Sequence, residues 1–338
     1  MVNVQFVKSA VFPYGPAPSD EKRAFELIEI CGRTAYKSED KITESSAKSF
    51  VLMLKTHGHL SVLEHSNIAL KVELKTDAGV PDNAGPISFH SILSLLRDRL
   101  GFHRIFPLNG DGTPGFILVG NFRAWLETLE YLKEREPLAW RFFAVNLGRS
   151  FPNLFEIPQG GAGVPHRATI LTDEEQLRFL KDGSIPDLPV FVFRFVCDRG
   201  ITHEVVRHRV FSFTQESTRY VNYRNRGMIL VLPEELQPYY DEASGEFTDQ
   251  CPVVREWQQR ADLIFDWYRE DLARGLRPEI ARDILPNLLK SEILVSGRFS
   301  GWKHFVKLRE SSQAHPRIRF LAKGVRKYFE EELGVACD

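Results

Sequence analysis

Residues able to do chemistry crowd into one stretch. Between Asp198 and Arg226 stand six arginines (Arg199, Arg207, Arg209, Arg219, Arg224, Arg226) against three acids (Asp198, Glu204, Glu216), a local net charge of +3 with no lysine. A guanidinium offers a planar fork that grips a phosphate or carboxylate through two parallel hydrogen bonds, which a lysine ammonium cannot do. His203, His208, Ser212, Gln215, Ser217 and Tyr220 interleave with these arginines, a mixture of donors and acceptors that suits a nucleotide's phosphate and base edge. Val205, Val206, Phe211 and Phe213 lie among them, so part of the stretch must be buried, and buried arginines need anionic partners. The stretch predicts an anion or nucleotide site. The bland alternative is a solvated basic loop.

Other groups carry weaker signals. His57, His59 and His65 could ligate zinc, but no cysteine and no i, i+4 pairing accompanies them, so structural histidines and no metal are expected. Ser217 has His208 nearby in sequence; without a carboxylate placed to orient such a pair, ligand binding is expected rather than nucleophilic attack. Cys197 closes an apolar run before Arg199 and reads as core packing rather than a thiol of lowered pKa.

Four ordered motifs then resemble one family, the flavin-dependent thymidylate synthases. Arg207-His208-Arg209, seven residues, Ser217 and Arg219-Tyr220 resemble its R-H-R-x7-S signature. His57 to His65 (HGHLSVLEH) resembles its G-H-x-S-x-x-E-H segment, Ala281 to Pro286 its A-R-x-x-L-P, and His304 to Arg309 its terminal H-F-x-x-x-R helix. The likeness covers roughly 1–75 and 190–325. It implies reductive methylation of dUMP to dTMP, with methylenetetrahydrofolate as carbon donor and NADPH reducing through bound FAD. Arg309 then corresponds to the group that activates the uracil ring, by stabilising negative charge on it without a cysteine adduct. The resemblance places Glu204, Arg207, Gln215, Glu216, Ser217, Thr218, Arg219 and Arg282 with Arg309 around dUMP. It places Ser61, Arg207, His208, Arg209, Gln215 and His304 at the flavin, with His59 on the flavin and folate face. It also implies a homotetramer with shared flavin sites.

Two departures stand out. The family's Asn and Arg, two apart before the terminal helix, are replaced by Arg298 and Ser300. That pattern stands instead at Asn121-Phe122-Arg123, where Gly120–Trp125 echoes Gly297–Trp302. Either the insertion delivers Asn121 and Arg123 to the flavin, across a subunit interface in one version of that reading, or Gly120–Trp125 simply begins a helix. Ala314-His315-Pro316-Arg317 also departs from the family's Ala-Gln-x-Glu; Pro316 should end the helix soon after Arg309, so relatives' oligomer contacts need not carry over.

The elements that must position these groups follow from periodicity. Ser19 and Asp20 precede a helix carrying Phe25, Ile28 and Cys31 to about Tyr36, and Thr43 starts another with Ala47, Phe50, Val51 and Leu54 that Gly58 ends. Residues 68–74 and Val190–Cys197 alternate as strands, the second turning at Asp198–Gly200; Met228–Leu232 is a short strand. Helices are expected at about 88–100 and 123–147, within a stretch at about 76–188 that reads as an insertion packed on one catalytic domain. Val254, Trp257, Ala261, Ile264, Trp267 and Tyr268 mark a long helix, Pro278 to Pro286 a short one, and a strand-like SEILVSG leads into a helix at 299–313. The expected class is α/β in the α+β sense, a curved, mainly antiparallel sheet flanked by helices.

Composition bounds the rest. With 338 residues, 43% hydrophobic, the chain can bury a real core. Its 44 Lys+Arg against 45 Asp+Glu argue against a broad basic face for nucleic acid. No apolar run approaches a membrane span, no leader is visible, and the scattered cysteines Cys31, Cys197, Cys251 and Cys337 suit a reducing cytoplasm. The rival readings are a nucleic-acid binder built on Arg207–Arg226, and a nucleotide-directed flavoprotein or hydrolase that does not methylate.

Overall fold

The computed structural model describes residues 4–73, 103–108, 115–159, 167–219, 222–223, 227–248 and 252–337. The helix expected at 88–100, and Tyr220, Arg224 and Arg226, lie outside them. Helices surround antiparallel sheet, but where one sheet was expected the described residues form two, each of four strands. The first joins β2 (Ala10–Pro16), β7 (Val190–Asp198), β12 (Lys290–Arg298) and β8 (Ser212–Gln215) in the order β2-β7-β12-β8. The second joins β3 (Ile68–Glu73), β4 (Arg104–Leu108), β5 (Gly115–Gly120) and β6 (Arg167–Ile170) in the order β4-β5-β3-β6. A small parallel pair, β1 (Gln5–Val7) with β9 (Ile229–Val231), and a hairpin of β10 (Tyr240–Asp241) with β11 (Glu246–Phe247) complete the strands.

Burial explains why the strands read as they do. Phe191, Phe193, Phe195 and Cys197 of β7 pack with Trp302, Phe305 and Phe329 on one face, while Val190 and Val192 join a different cluster on the other. Such a strand is apolar on both sides, so its alternation is muted. Ile68, Leu70 and Val72 of β3 likewise face one core, but Ala69 is buried against Ile117, Val119 and Leu188, leaving only Lys71 and Glu73 partly exposed.

Helix α1 (Glu21–Tyr36) is capped by Asp20, which accepts from the Arg23 N–H, and stops at Lys37, whose φ of 51° is left-handed. Helix α2 (Ser46–Thr56) starts later than Thr43, whose N–H donates to Ser46 Oγ. The single helix expected at 123–147 is two, α3 (Phe122–Arg135) and α4 (Pro137–Ser150), because Pro137 cannot continue a helix but suits its first turn. A capping box of Thr172 and Glu175 starts α5 (Asp173–Lys181). The turn expected at Asp198–Gly200 is a helix start: Asp198 accepts from the Ile201 N–H and caps α6 (Arg199–Val205). In α7 (Pro252–Ala273) the buried stripe is Val254, Ala261, Phe265 and Tyr268; Trp267, expected inside, is 49% exposed, one helical step off that stripe. After α8 (Pro278–Ala281), α9 (Phe299–Arg309) ends at Arg309 rather than 313, and Pro316 opens α10 (Pro316–Lys327).

Candidate active site

Three groupings hold many of the residues that sequence reasoning singled out. The first surrounds Arg309, the last residue of α9. Its Nε donates to His208 Nε2 at 2.9 Å, Nη1 to Glu204 Oε2 at 2.9 Å, and Nη2 to the Glu204 carbonyl at 3.1 Å. An arginine only donates, so His208 Nε2 must be unprotonated and the ring neutral. Burial, then the nearby Arg309 and His304, push the His208 pKa down to about 4, which agrees.

The second grouping sits where β7 and β12 meet at Asp198 and Lys290. Arg282 Nη1 donates to Thr218 Oγ1 at 3.0 Å, and both line a cavity of about 250 Å³ with Arg199 and Asn287. Beside it, Gln215 donates to Thr202 Oγ1 and Ser291 Oγ, both at 3.0 Å. Glu216 is buried and held by Lys290 at 3.0 Å, and Lys290 and Lys37 both reach Glu292. Burial alone would raise the Glu292 pKa, but these ammoniums pull it down to about 2. Ser217 is fixed by its own N–H on the Ala35 carbonyl at 3.0 Å.

The third grouping lies at the other end of β12, eight residues on, roughly 26 Å away at strand rise. A cavity of about 460 Å³ is lined by Arg209, Ser212, Ser296, Arg298 and His304 from the first sheet's side and by Glu64, Asn67, Arg104 and Asn121 from the second's. Glu64 is already engaged, accepting from Ser212 Oγ and Arg123 Nη1, each at 2.8 Å. Asn121 caps α3 by accepting from the Ala124 N–H at 2.8 Å, so the helix-start reading describes it, and the same residue borders the cavity. Arg123 binds Glu127 as well as Glu64 and does not line the cavity.

The single chain therefore does not gather the family-matched arginines around one pocket. Nor are they buried: Arg207, Arg209 and Arg219 are exposed, while His208, Thr214, Glu216 and Thr218 turn inward. Val205, His208 and Phe211 are buried at every third position and anchor the turn, which leaves Arg207 and Arg209 outward. Ser61 and His59 are exposed on the turn around Leu60–His65, outside these groupings. The three N-terminal histidines serve separate ends, His57 on the Met53 carbonyl and buried His65 2.9 Å from Thr214 Oγ1. Among the described residues no three His, Cys, Asp or Glu side chains gather as a metal would require. Arg104, Asn67 and Ser296 were not anticipated; only the echo at Gly120 and Gly297 pointed toward their neighbourhood.

The large cavity fits a phosphate-bearing group. Ser296 Oγ and Asn67 Oδ1, both buried, have no hydrogen-bond partner among the described residues. A hydroxyl that can donate, an amide oxygen that must accept, and guanidiniums nearby suit a sugar phosphate, which carries both anionic oxygens and hydroxyls.

Residues 174–333 match the family model described as thymidylate synthase complementing protein. Over this stretch the chain is similar to the flavin-dependent thymidylate synthases. It is 34% identical over 128 residues to the flavin-dependent thymidylate synthase of Pyrococcus abyssi, which covers 37% of this chain and 48% of that one. It is 33% identical over 148 residues to that of Corynebacterium aurimucosum, covering 41% and 57%. The chain thus spans about half the length of the curated relatives it matches. Among solved structures it is similar to a UMP/dUMP methylase, PolB from Streptomyces cacaoi, bound with 5-Br UMP, at 21% identity and a TM-score of 0.36 over 46% of this chain and 76% of that chain. No helix of the described residues is long and apolar enough to cross a membrane.

Proposed function

We propose that the chain is a flavin-dependent thymidylate synthase of the cytoplasm, converting dUMP to dTMP with methylenetetrahydrofolate and NADPH. The observation that carries this reading is the contact between two motifs far apart in sequence: Arg309 of the H-F-x-x-x-R helix donates to His208 of the R-H-R turn. Bound FAD would supply the transfer of reducing equivalents from NADPH. The residues that would hold it are Arg209 and His304, which share a cavity with unpartnered Ser296 and Asn67.

The chain's own groups then divide the work. Carbon 5 of uracil becomes nucleophilic only as the ring takes on negative charge, and a fixed guanidinium at the ring edge stabilises that charge. Glu204 and His208 hold the plane of Arg309, so no reorganisation is needed when the charge develops. Arg282, bonded to Thr218, and Arg199 line one cavity and suit the nucleotide's phosphate. No thiol is called on: Cys31 and Cys197 are fully buried, and burial raises both their pKa values.

The test is dTMP formation from dUMP, methylenetetrahydrofolate and NADPH with FAD added. Arg309→Ala should lower kcat about 100-fold or more, and Arg282→Ala should raise the KM for dUMP about tenfold. No dTMP from the unaltered protein, or full activity in Arg309→Ala, overturns the reading.

A further inference from the structure

The echo between Gly120–Trp125 and Gly297–Trp302 extends through both sheets. Gly120 ends β5 and Gly297 lies one residue before the end of β12, each leading into a helix whose Phe (Phe122, Phe299) and Trp (Trp125, Trp302) are buried. Gly120 faces Ile68 at the start of β3, and Gly297 faces Phe191 at the start of β7. On the other side, Val119 pairs with Arg104 of β4 and Ser296 with Ser212 of β8. The ring before each of those residues lies on the matching tryptophan, His103 on Trp125 at 4.7 Å and Phe211 on Trp302 at 4.3 Å. Each glycine is needed because a Cβ there would strike that same ring. A second helix follows in both cases, α4 and α10.

The outer strands complete the correspondence by trading places. β2 leads through α1 toward β3 but pairs with β7; β6 leads through α5 into β7 but pairs with β3. The two helix starts meet, with the Ser19 N–H donating to Asp173 Oδ1 at 2.7 Å. The family match at 174–333 coincides with the second unit alone. The large cavity lies where the units face each other, and its walls come in equivalent pairs: Arg104 with Ser212, Asn121 with Arg298, Asn67 with Val190.

We propose that the chain is two copies of one strand–helix unit with exchanged first strands, and that the cavity between them is one composite site for a phosphate-bearing nucleotide, to which the first copy contributes Arg104. Arg104 and Arg209 have no carboxylate partner among the described residues, and the guanidinium of Arg298 bonds only the Asp187 carbonyl, at 2.7 Å. The Asp187 carboxylate is occupied by Ser300, through its N–H and its hydroxyl. Three guanidiniums beside an engaged Glu64 leave a positive cavity that a diphosphate would neutralise. What had read as an insertion is, on this view, the remainder of the first copy. Only the ligand's name, FAD, rests on the function proposed above.

The experiment titrates FAD and inorganic pyrophosphate into the full chain by calorimetry, using Arg104→Ala and the exposed Arg274→Ala as a charge control. FAD should bind once per chain, and pyrophosphate should compete with it. Arg104→Ala should weaken each about tenfold, and Arg274→Ala should leave both unchanged. FAD binding of equal affinity in Arg104→Ala overturns the composite site while the flavin reading stands. Arg104-dependent pyrophosphate binding without FAD binding overturns the flavin reading while the composite site stands. Two equivalents of FAD per chain, or binding of neither probe, also overturn the composite site.

Discussion

Gly120→Ala probes the packing that joins the second sheet to the cavity. A Cβ there would lie 2.5 Å from His103 Nδ1 and 2.6 Å from its Cε1, with Trp125 Nε1 at 3.3 Å. Ordinary contact begins near 3.5 Å, so the imidazole must withdraw by about 1 Å. It cannot do so freely: His103 is buried, lies 2.7 Å from Thr128 Oγ1, and rests against fully buried Trp125. Overpacking of this kind costs about 1–3 kcal/mol, and a broken bond between buried groups about 1–3 more. The reduced freedom of the unfolded chain returns about 0.4–1 kcal/mol. The net expectation is a loss of about 1–6 kcal/mol; at about 2.1 cal/mol/K for each of 338 residues, Tm falls by about 1–8 °C. Urea denaturation followed by tryptophan fluorescence measures it. Gly183→Ala is the control: Gly183 has a φ of 75° but nothing within 4 Å, so it should lose only about 1 kcal/mol from left-handed strain. A cycle adding His103→Ala should show coupling of at least about 1 kcal/mol. Loss below about 0.5 kcal/mol in Gly120→Ala, or no coupling, would refute the argument.

Two more outcomes follow from buried groups. Burial holds His65 and His103 with pKa values of about 4; between pH 6.5 and 4 the unfolded chain binds protons that the folded chain refuses, so stability falls as pH falls through that window. The loss is on the order of 3 kcal/mol per histidine, measurable by denaturant titration at stepped pH, and a flat profile from 6.5 to 4 would contradict it. Cys197→Ala should retain thymidylate-forming activity within about threefold, since a buried thiol is no nucleophile; a loss above about 100-fold in a folded variant, judged by circular dichroism, would point to a chemical role for the thiol.

Periodicity and punctuation made the local fold legible. Asp20 capped a helix, Gly58 followed one, and Pro316 separated α9 from α10, because caps and prolines act within a few residues. Of the second sheet only the strand at 68–74 was legible: Arg104–Leu108 contains Pro107, and Gly115–Gly120 is an apolar run without alternation, so neither announces a strand. The motif contacts Arg309–His208 and Arg282–Thr218 formed between segments that the sequence had already paired by resemblance. That the two contacts lie apart is a property of topology rather than of any motif.

The exchanged outer strand has a consequence during synthesis. Ala10–Pro16 finds its partner only at Val190–Asp198, about 180 residues later, so at roughly 5–20 residues per second it leaves the ribosome about 10–35 s before that partner exists. A nascent strand with open hydrogen-bonding groups invites pairing with neighbouring chains for all of that time. Pro13 and Pro16 remove two donors from it, and the register shift between Pro13 and Gly15 bends it. This early strand is thus poorly suited to mispairing while it waits.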